Sequence, residues 1–199
     1  MQKKHRTEVM RKLIHMSSLV IPLGYRFLLH EDRKIMFLVL LPVTVLMLIV
    51  EIVRLEHKSI KRIFYRIFGI MLRRHEVNDF TGATYLMVAS VVCIAFFPGD
   101  NIAFLALSSL AVGDTLAAII GMTMGERKFR GTKKSFEGTL ACFIGTMGYG
   151  LLFGVHPLLA FVGAMAAALA ELSRVPVDDN VKIPMAVALA MALARFIAI

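Results

Sequence analysis

Seven apolar stretches, each close to the length of a membrane span, divide the chain: Leu13 to Leu29, Ile35 to Val53, Phe80 to Phe97, Asn101 to Met124, Phe136 to Gly154, Pro157 to Leu172 and Ile183 to Ile199. Crossing the hydrocarbon core in helical form takes about 20 mostly apolar residues. In lipid only helices and closed barrels satisfy their own backbone, and these runs lack the alternation of a barrel strand. The pattern predicts an all-α integral membrane protein with seven transmembrane helices. It forms a single domain over residues 1–199 with no separate soluble unit.

The opening MQKKHR and the apolar run after it have the outline of a secretory signal. No small-residue cleavage site precedes HEDRK, and six more runs follow, so the first helix is expected to be retained. Between the second and third runs lies a different pattern. In EHKSIKRIFYRIFGIMLRRH, residues 56–75, Ile60, Ile63, Phe64, Ile67, Phe68 and Met71 recur at three- and four-residue spacing among basic residues. That spacing predicts an amphipathic helix lying in the interface, its basic face suited to anionic headgroups.

Composition agrees: 58% of the 199 residues are hydrophobic, and mean hydropathy is +0.73, whereas soluble domains are about 45–50% apolar. A net charge of +9 raises nucleic acid as a partner, but the charge is sorted by membrane side. Lys and Arg gather before the first run, from Arg54 to Arg74, from Arg127 to Lys134 and from Arg174 to Lys182. The opposite face keeps only Arg26, Arg33, Lys34 and Arg195. This positive-inside asymmetry predicts a cytoplasmic N-terminus and an external C-terminus, with no nucleic-acid role. Cys93 and Cys142 fall inside apolar runs and form neither a disulfide framework nor a zinc pattern.

Four acids interrupt or flank the apolar runs: Glu51, Asp114, Glu137 and Glu171. With this topology all four lie toward the cytoplasmic side. A charge at mid-membrane costs roughly 2.5–3.5 kcal/mol on insertion scales, so such acids either face a cavity and work there or pair with one another's neighbours, here Arg11, Arg54 or His15. Gly113 beside Asp114, and Gly121 and Gly125 beyond it, give a small-residue face for helix packing or for ligand approach.

The loop after it, residues 125–135, carries Gly131, Lys133 and Lys134 among its basic residues and ends at Ser135, the expected N-cap of the next helix. Glu137 in the first turn suits the helix dipole, and Gly138 at the capping-box position does not complete that box. Helix amides and lysines together make a seat for phosphate. In the last loop Asp178, Asp179 and Asn180 stand together. They offer hard oxygen ligands for Mg²⁺ on substrate phosphates, or alternatively a turn and helix cap.

The segments G-D-T-x-A-A-x-x-G (Gly113 to Gly121) and K-K-S-F-E-G (Lys133 to Gly138) resemble the CTP-dependent lipid kinase family, which includes dolichol kinase, phytol kinase and yeast-type diacylglycerol kinase. Further matches are E-x-x-R-K-x-x-H (Glu8 to His15) and Ala170-Glu171 followed by D-D-N-x-x-x-P (Asp178 to Pro184). The related phosphatidate cytidylyltransferases share a K-K-T-x-E-G run, but their H-G-G and D-R signature is absent here.

The resemblance implies γ-phosphate transfer from CTP to the hydroxyl of a membrane lipid alcohol, dependent on Mg²⁺, at a site on the cytoplasmic side. An isoprenoid alcohol is the favoured acceptor, with diacylglycerol as the other. Asp114 with Asp178 or Asp179, helped by Asn180, is expected to hold the metal. Gly113, Thr115, Gly121, Gly131, Lys133, Lys134, Ser135 and Gly138 are expected to bind nucleotide.

Glu137 is the first expected base or second metal ligand and Glu171 its rival, since the lipid hydroxyl must lose a proton. Arg11 and His15, four apart on one helix face, are expected at the lipid headgroup or nucleotide, with structural pairing to Glu51 as the alternative, and Glu51 and Arg54 join them as headgroup or support residues. The lipid tail is expected along Phe161 to Ala168 or Met185 to Ala194, although the small residues there equally suit close helix packing. A CDP-lipid synthase and a small transporter are the rival functions, and a homodimer stays open.

Overall fold

A short helical start, α1, runs over residues 12–17, breaks at residues 18–19, resumes over Val20–Leu23 and ends in the π-helical turn Gly24–Leu28. The computed structural model describes residues 12–73, 75–99, 101–132 and 134–198. After α1 come α2 (Arg33–Glu56), α3 (Lys58–Phe68), α4 (Gly82–Phe96), α5 (Ile102–Thr123), α6 (Phe136–Leu152), α7 (Pro157–Leu172) and α8 (Asp179–Ala198). Among the described residues there is no strand, only one isolated bridge between Lys128 and Ser135. The expected all-α architecture is present, and α2, α5 and α8 are each long and apolar enough to cross a membrane. The first apolar run is not one continuous helix, and the amphipathic helix is shorter than the run of basic residues around it.

Helix α2 shows why the boundaries fall where they do. Asp32 caps it, its side chain accepting from Lys34 N at 2.9 Å and Ile35 N at 3.0 Å. Such a cap satisfies two of the amides that a helix start leaves unpaired. At 1.5 Å per residue, its 24 residues reach about 36 Å, more than the hydrocarbon core. Only Met36, Leu40, Thr44, Glu51 and Arg54 are buried, a narrow stripe packed on α4, while Leu38, Val45 and Ile49 are exposed.

Helix α5 is the opposite case. Every residue from Ile102 to Ser109 is buried, and α4, α6, α7 and α8 all pack around it. At Leu110–Asp114 it widens into a π-helical turn before continuing as Thr115–Thr123. Such insertions shift the register of the side chains that follow and frequently mark functional positions.

Helices α5 and α6 cross where glycines leave room. A Cβ on Gly138 would stand 2.7 Å from the Ala117 carbonyl, and one on Gly113 would stand 2.6 Å from Thr146 Oγ1 and 2.9 Å from Cys142 Sγ. The small residues of α7 serve the same end: Ala160, Ala164 and Ala167 are fully buried, and Gly163 admits Met191 of α8. The small residues within Phe161 to Ala168 thus serve helix packing, the alternative given for them above, while Phe161 and Met165 stay exposed on the outer face.

Side-chain links sort by the two ends of the bundle. At one end, residues 54–81, 130–139 and 171–182 are tied together by Arg54 with Glu76 and Asp79, Arg73 with Asp178, and Lys134 with Glu171. At the other, Arg26 donates to Asn101 and Arg195 to the Pro98 carbonyl. Segments that charge patterning assigns to one face are thus neighbours in space.

Candidate active site

Asp114 ends the π-helical turn of α5, in the middle of the most buried of the three candidate spans among the described residues. Lys12 of α1 donates from Nζ to its Oδ2 at 2.5 Å and to its backbone carbonyl at 2.9 Å. His15 Nδ1 lies 3.0 Å from the same Oδ2. All three residues are buried. A buried carboxylate needs this, because an unpaired charge there costs several kcal/mol and a paired, hydrogen-bonded one much less. Lys12 and His15 are three residues apart and so present one face of α1 to α5.

Glu51 and Arg54 form a second buried pair, one turn apart on α2. Arg54 Nε donates to Glu51 Oε2 at 2.8 Å, and its two terminal nitrogens reach the carbonyls of Glu76 and Asp79 at 2.9 and 2.6 Å. The guanidinium also sits 4.9 Å from the Phe64 ring centroid of α3. Glu51 Oε1 takes the Thr81 hydroxyl at 2.7 Å. Each of the three nitrogens of this arginine donates, so the pair fastens α2, α3 and the loop before α4 together, which is the structural alternative raised for it above.

The basic loop folds back on itself. Phe136 N donates to the Arg127 carbonyl at 2.8 Å and Phe129 N to the Lys134 carbonyl at 3.1 Å. Gly131 turns the chain at φ +72°, where a side chain is disfavoured. Ser135 caps α6, accepting from Gly138 N at 3.1 Å. Both carboxylate oxygens of Glu137 accept from Arg127 N, at 3.2 and 3.3 Å, so this acid holds the loop. Lys134 Nζ stands 3.1 Å from Glu171 Oε1, and Thr139 donates to the other oxygen at 3.3 Å. Gly121 lies against Ser135 and Gly138 across the helix crossing, and the buried Thr115 hydroxyl has no partner among the described residues.

At the start of α8, Asp178 Oδ1 accepts from Asn180 N at 2.9 Å and from the Asn180 side chain at 2.5 Å. Its Oδ2 receives Arg73 at 2.9 Å, and Asp179 pairs with Lys182 at 2.8 Å. The capping geometry is present, and it leaves both aspartates at the wall of a recess. This recess has a volume of about 420 Å³, and its walls include Arg73, Lys134, Arg174 and Lys182 together with Asp79, Asp178 and Asp179. The structure thus brings Lys134 of the basic loop to the acidic loop 44 residues on, counting to Asp178, without bringing Asp114 to the same wall. Among the described residues no three His, Cys, Asp or Glu side chains gather as a metal cluster.

A second cavity, of about 590 Å³, opens between α1, α2, α3 and α4. Its walls are apolar, including Leu46, Val50, Phe64, Phe68, Leu86 and Met87. At its polar end Glu51, Glu76 and Asn180 gather about Thr81 and Gly82, and His15 also lines the cavity. Arg73 lines both this cavity and the charged recess.

Arg11 and Lys133 lie outside the described residues. Two residues that matter here were not singled out from sequence. Lys12 stands inside the R-K-x-x-H motif, one turn before His15, and that position was its signal. Arg73 had none, because it is one of many arginines in a basic amphipathic run.

Comparison with known proteins places these features in a family context. The chain is 25% identical over 211 residues to the CTP-dependent diacylglycerol kinase 1 of Eremothecium gossypii, covering 92% of this chain and 66% of that protein. It is 26% identical over 204 residues to the CTP-dependent diacylglycerol kinase 1 of Schizosaccharomyces pombe, covering 92% and 90%. A segment of 32 residues is 59% identical to dolichol kinase of Mus musculus, 16% of this chain and 6% of that one. The chain thus spans just under two thirds of the first kinase's length and most of the second's. No family model matches, and no solved structure matches. These likenesses make the chain a relative of the CTP-dependent lipid kinases, as its motifs imply.

Proposed function

We propose that the protein is a CTP-dependent lipid kinase of the membrane, which transfers the γ-phosphate of CTP to the hydroxyl of a lipid alcohol. The observation that carries this reading is the meeting of an apolar cavity with a charged recess, sharing Arg73 as a wall. An amphiphilic alcohol fits the first, with its hydroxyl at the polar end. A polyphosphate fits the second, where cations outnumber acids. In the proposed topology of seven spans, with the N-terminus inside, the recess faces the cytoplasm, where CTP is available.

Lys134, with Lys133 and the Ser135 start of α6, holds phosphate oxygens in this proposal. The glycines at 113, 121 and 138 set the helix crossing that positions them, and Gly131 turns the loop. Asp178 and Asp179 are hard oxygen donors at a wall that also carries Asp79 and the cations Arg73, Lys134, Arg174 and Lys182, a set that fits Mg²⁺ carried in on substrate phosphates. When bound there, Mg²⁺ supplies charge neutralisation to the phosphates. Asp114 contributes by fixing Lys12 and the cavity-lining His15. Between the two expected bases we favour Glu171. Glu137 spends both oxygens on the Arg127 amide, whereas Glu171 is paired with Lys134, which a bound triphosphate draws away, leaving the carboxylate free to accept a proton.

Likeness over most of the chain is to diacylglycerol kinases, so diacylglycerol now stands before an isoprenoid alcohol as the proposed acceptor. The test is phosphoryl transfer by purified protein in detergent, with γ-labelled CTP, Mg²⁺ and separate pools of diacylglycerol, polyprenols and short isoprenoid alcohols. Label in one pool supports the kinase and identifies its acceptor class. No label in any pool, with a labelled lipid formed from phosphatidate and α-labelled CTP, replaces the kinase with a CDP-lipid synthase.

A further inference from the structure

We propose that Arg73 marks the point where lipid hydroxyl and γ-phosphate meet, and that its guanidinium stabilises the phosphoryl group in transit. This rests on the kinase reading above. Among the described residues Arg73 alone lines both the apolar cavity and the charged recess, so its side chain borders both the proposed lipid site and the proposed phosphate site.

Its bonding differs from that of a purely structural arginine in the same region. Arg54 is 1% exposed and uses Nε and both terminal nitrogens on Glu51, Glu76 and Asp79. Arg73 makes one ion pair, from a single terminal nitrogen to Asp178 at 2.9 Å, and its side chain is 23% exposed. Its Nε is buried with no partner among the described residues. A guanidinium has five N–H donors, so most of its hydrogen-bonding capacity is free to take a substrate anion. Leaving a buried donor unmet costs about 1–3 kcal/mol, which a bound phosphate oxygen removes.

The backbone that carries it is fixed. Arg73 N donates to Glu76 Oε2 at 2.6 Å, and Glu76 Oε1 accepts from Gly82 N at 2.9 Å, anchoring the loop to the start of α4. Donors held in place before the reaction stabilise developing charge without paying for reorganisation.

In the transfer, the lipid hydroxyl oxygen forms a bond to the γ-phosphorus, and the bond from that phosphorus to the β–γ bridging oxygen breaks. CDP leaves with the electron pair, and the hydroxyl proton passes to Glu171. Arg73 forms and breaks no covalent bond. It donates to the equatorial oxygens, where charge lies in the transition state.

The experiment compares wild type, Arg73→Lys, Arg73→Gln and Arg73→Ala in the γ-labelled CTP assay, with melting temperature measured for each. Arg73→Lys keeps the charge and the pair with Asp178 but loses the planar fork. Expected is a fall in kcat of about 100- to 1000-fold in Arg73→Lys and Arg73→Gln, with KM for CTP changed less than about fivefold. Ethylguanidinium added to Arg73→Ala is expected to restore activity about tenfold or more, a response that a structural role does not give. A kcat retained within about threefold overturns the proposal, as does a loss confined to KM. A loss that tracks a lowered melting temperature and resists ethylguanidinium also overturns it. Wild type that labels no lipid refutes the kinase reading itself, which separates the two failures.

Discussion

Lys12 Nζ lies 2.5 Å from Asp114 Oδ2 across a sequence separation of 102 residues. The aspartate that interrupts the fourth apolar run is therefore neutralised by a lysine at the start of the first. Breaking one partner of such a buried pair costs about 3–5 kcal/mol. Lys12→Met is expected to lower the melting temperature of detergent-purified protein and to abolish transfer. The double variant Lys12→Met/Asp114→Leu is expected to regain most of the stability with no activity. A double variant as unstable as the single one contradicts the pairing.

Arg54 is expected to be a stability residue. Arg54→Ala leaves Glu51 buried and unpaired and removes the tie to the Glu76 and Asp79 carbonyls. The expected loss is again about 3–5 kcal/mol, read as a large drop in melting temperature. Folded protein that keeps its melting point but loses only affinity for the lipid acceptor would instead place Arg54 at the headgroup.

Gly138→Ala and Gly148→Ala make a matched pair on one helix. The first puts a methyl 2.7 Å from the Ala117 carbonyl, while the second meets nothing within 4 Å. Overpacking costs about 1–3 kcal/mol, whereas alanine in an open helical position gains up to about 1 kcal/mol over glycine. Gly138→Ala is expected to lower the melting temperature and Gly148→Ala to leave it equal or raised. Equal effects from both refute the close α5–α6 crossing.

Lys134→Ala removes the cation that links the basic loop to Glu171. If Lys134 binds the triphosphate, KM for CTP rises by about 10- to 100-fold, since one charge-assisted contact is worth about 1.5–3 kcal/mol. Lys134→Arg is expected to recover part of that loss. An unchanged KM in Lys134→Ala, measured at saturating lipid, removes Lys134 from the nucleotide site.

The acids and the basic loop were legible in the sequence because each breaks a local rule. A charge in an apolar run, or a burst of lysine between two spans, needs a reason wherever the chain folds. The partner of each charge was less legible, because ion pairs across helices carry no periodicity. Nothing along the chain announces that Glu171, the rival of Glu137 for the base, pairs with Lys134, or that Asp178 caps α8 and holds Arg73. Along Phe161 to Ala168 the packing alternative holds for the small residues, while Phe161 and Met165 stay exposed. Alanine and glycine remove little area from water but let helices approach closely, so they were spent on packing α7 against α8.

By itself the sequence determined the all-helical class, since long apolar runs in lipid leave the backbone no other way to satisfy itself. The sorting of charge also made it readable that residues 54–81, 130–139 and 171–182 share an end of the bundle, where Arg54, Arg73 and Lys134 tie them together. Only the tertiary structure decided that Asp114 belongs to Lys12 and His15, that the apolar cavity lies among α1 to α4, and that Arg73 joins it to the charged recess. Those outcomes depend on how helices rotate and cross, which is set by close packing between residues far apart in the chain.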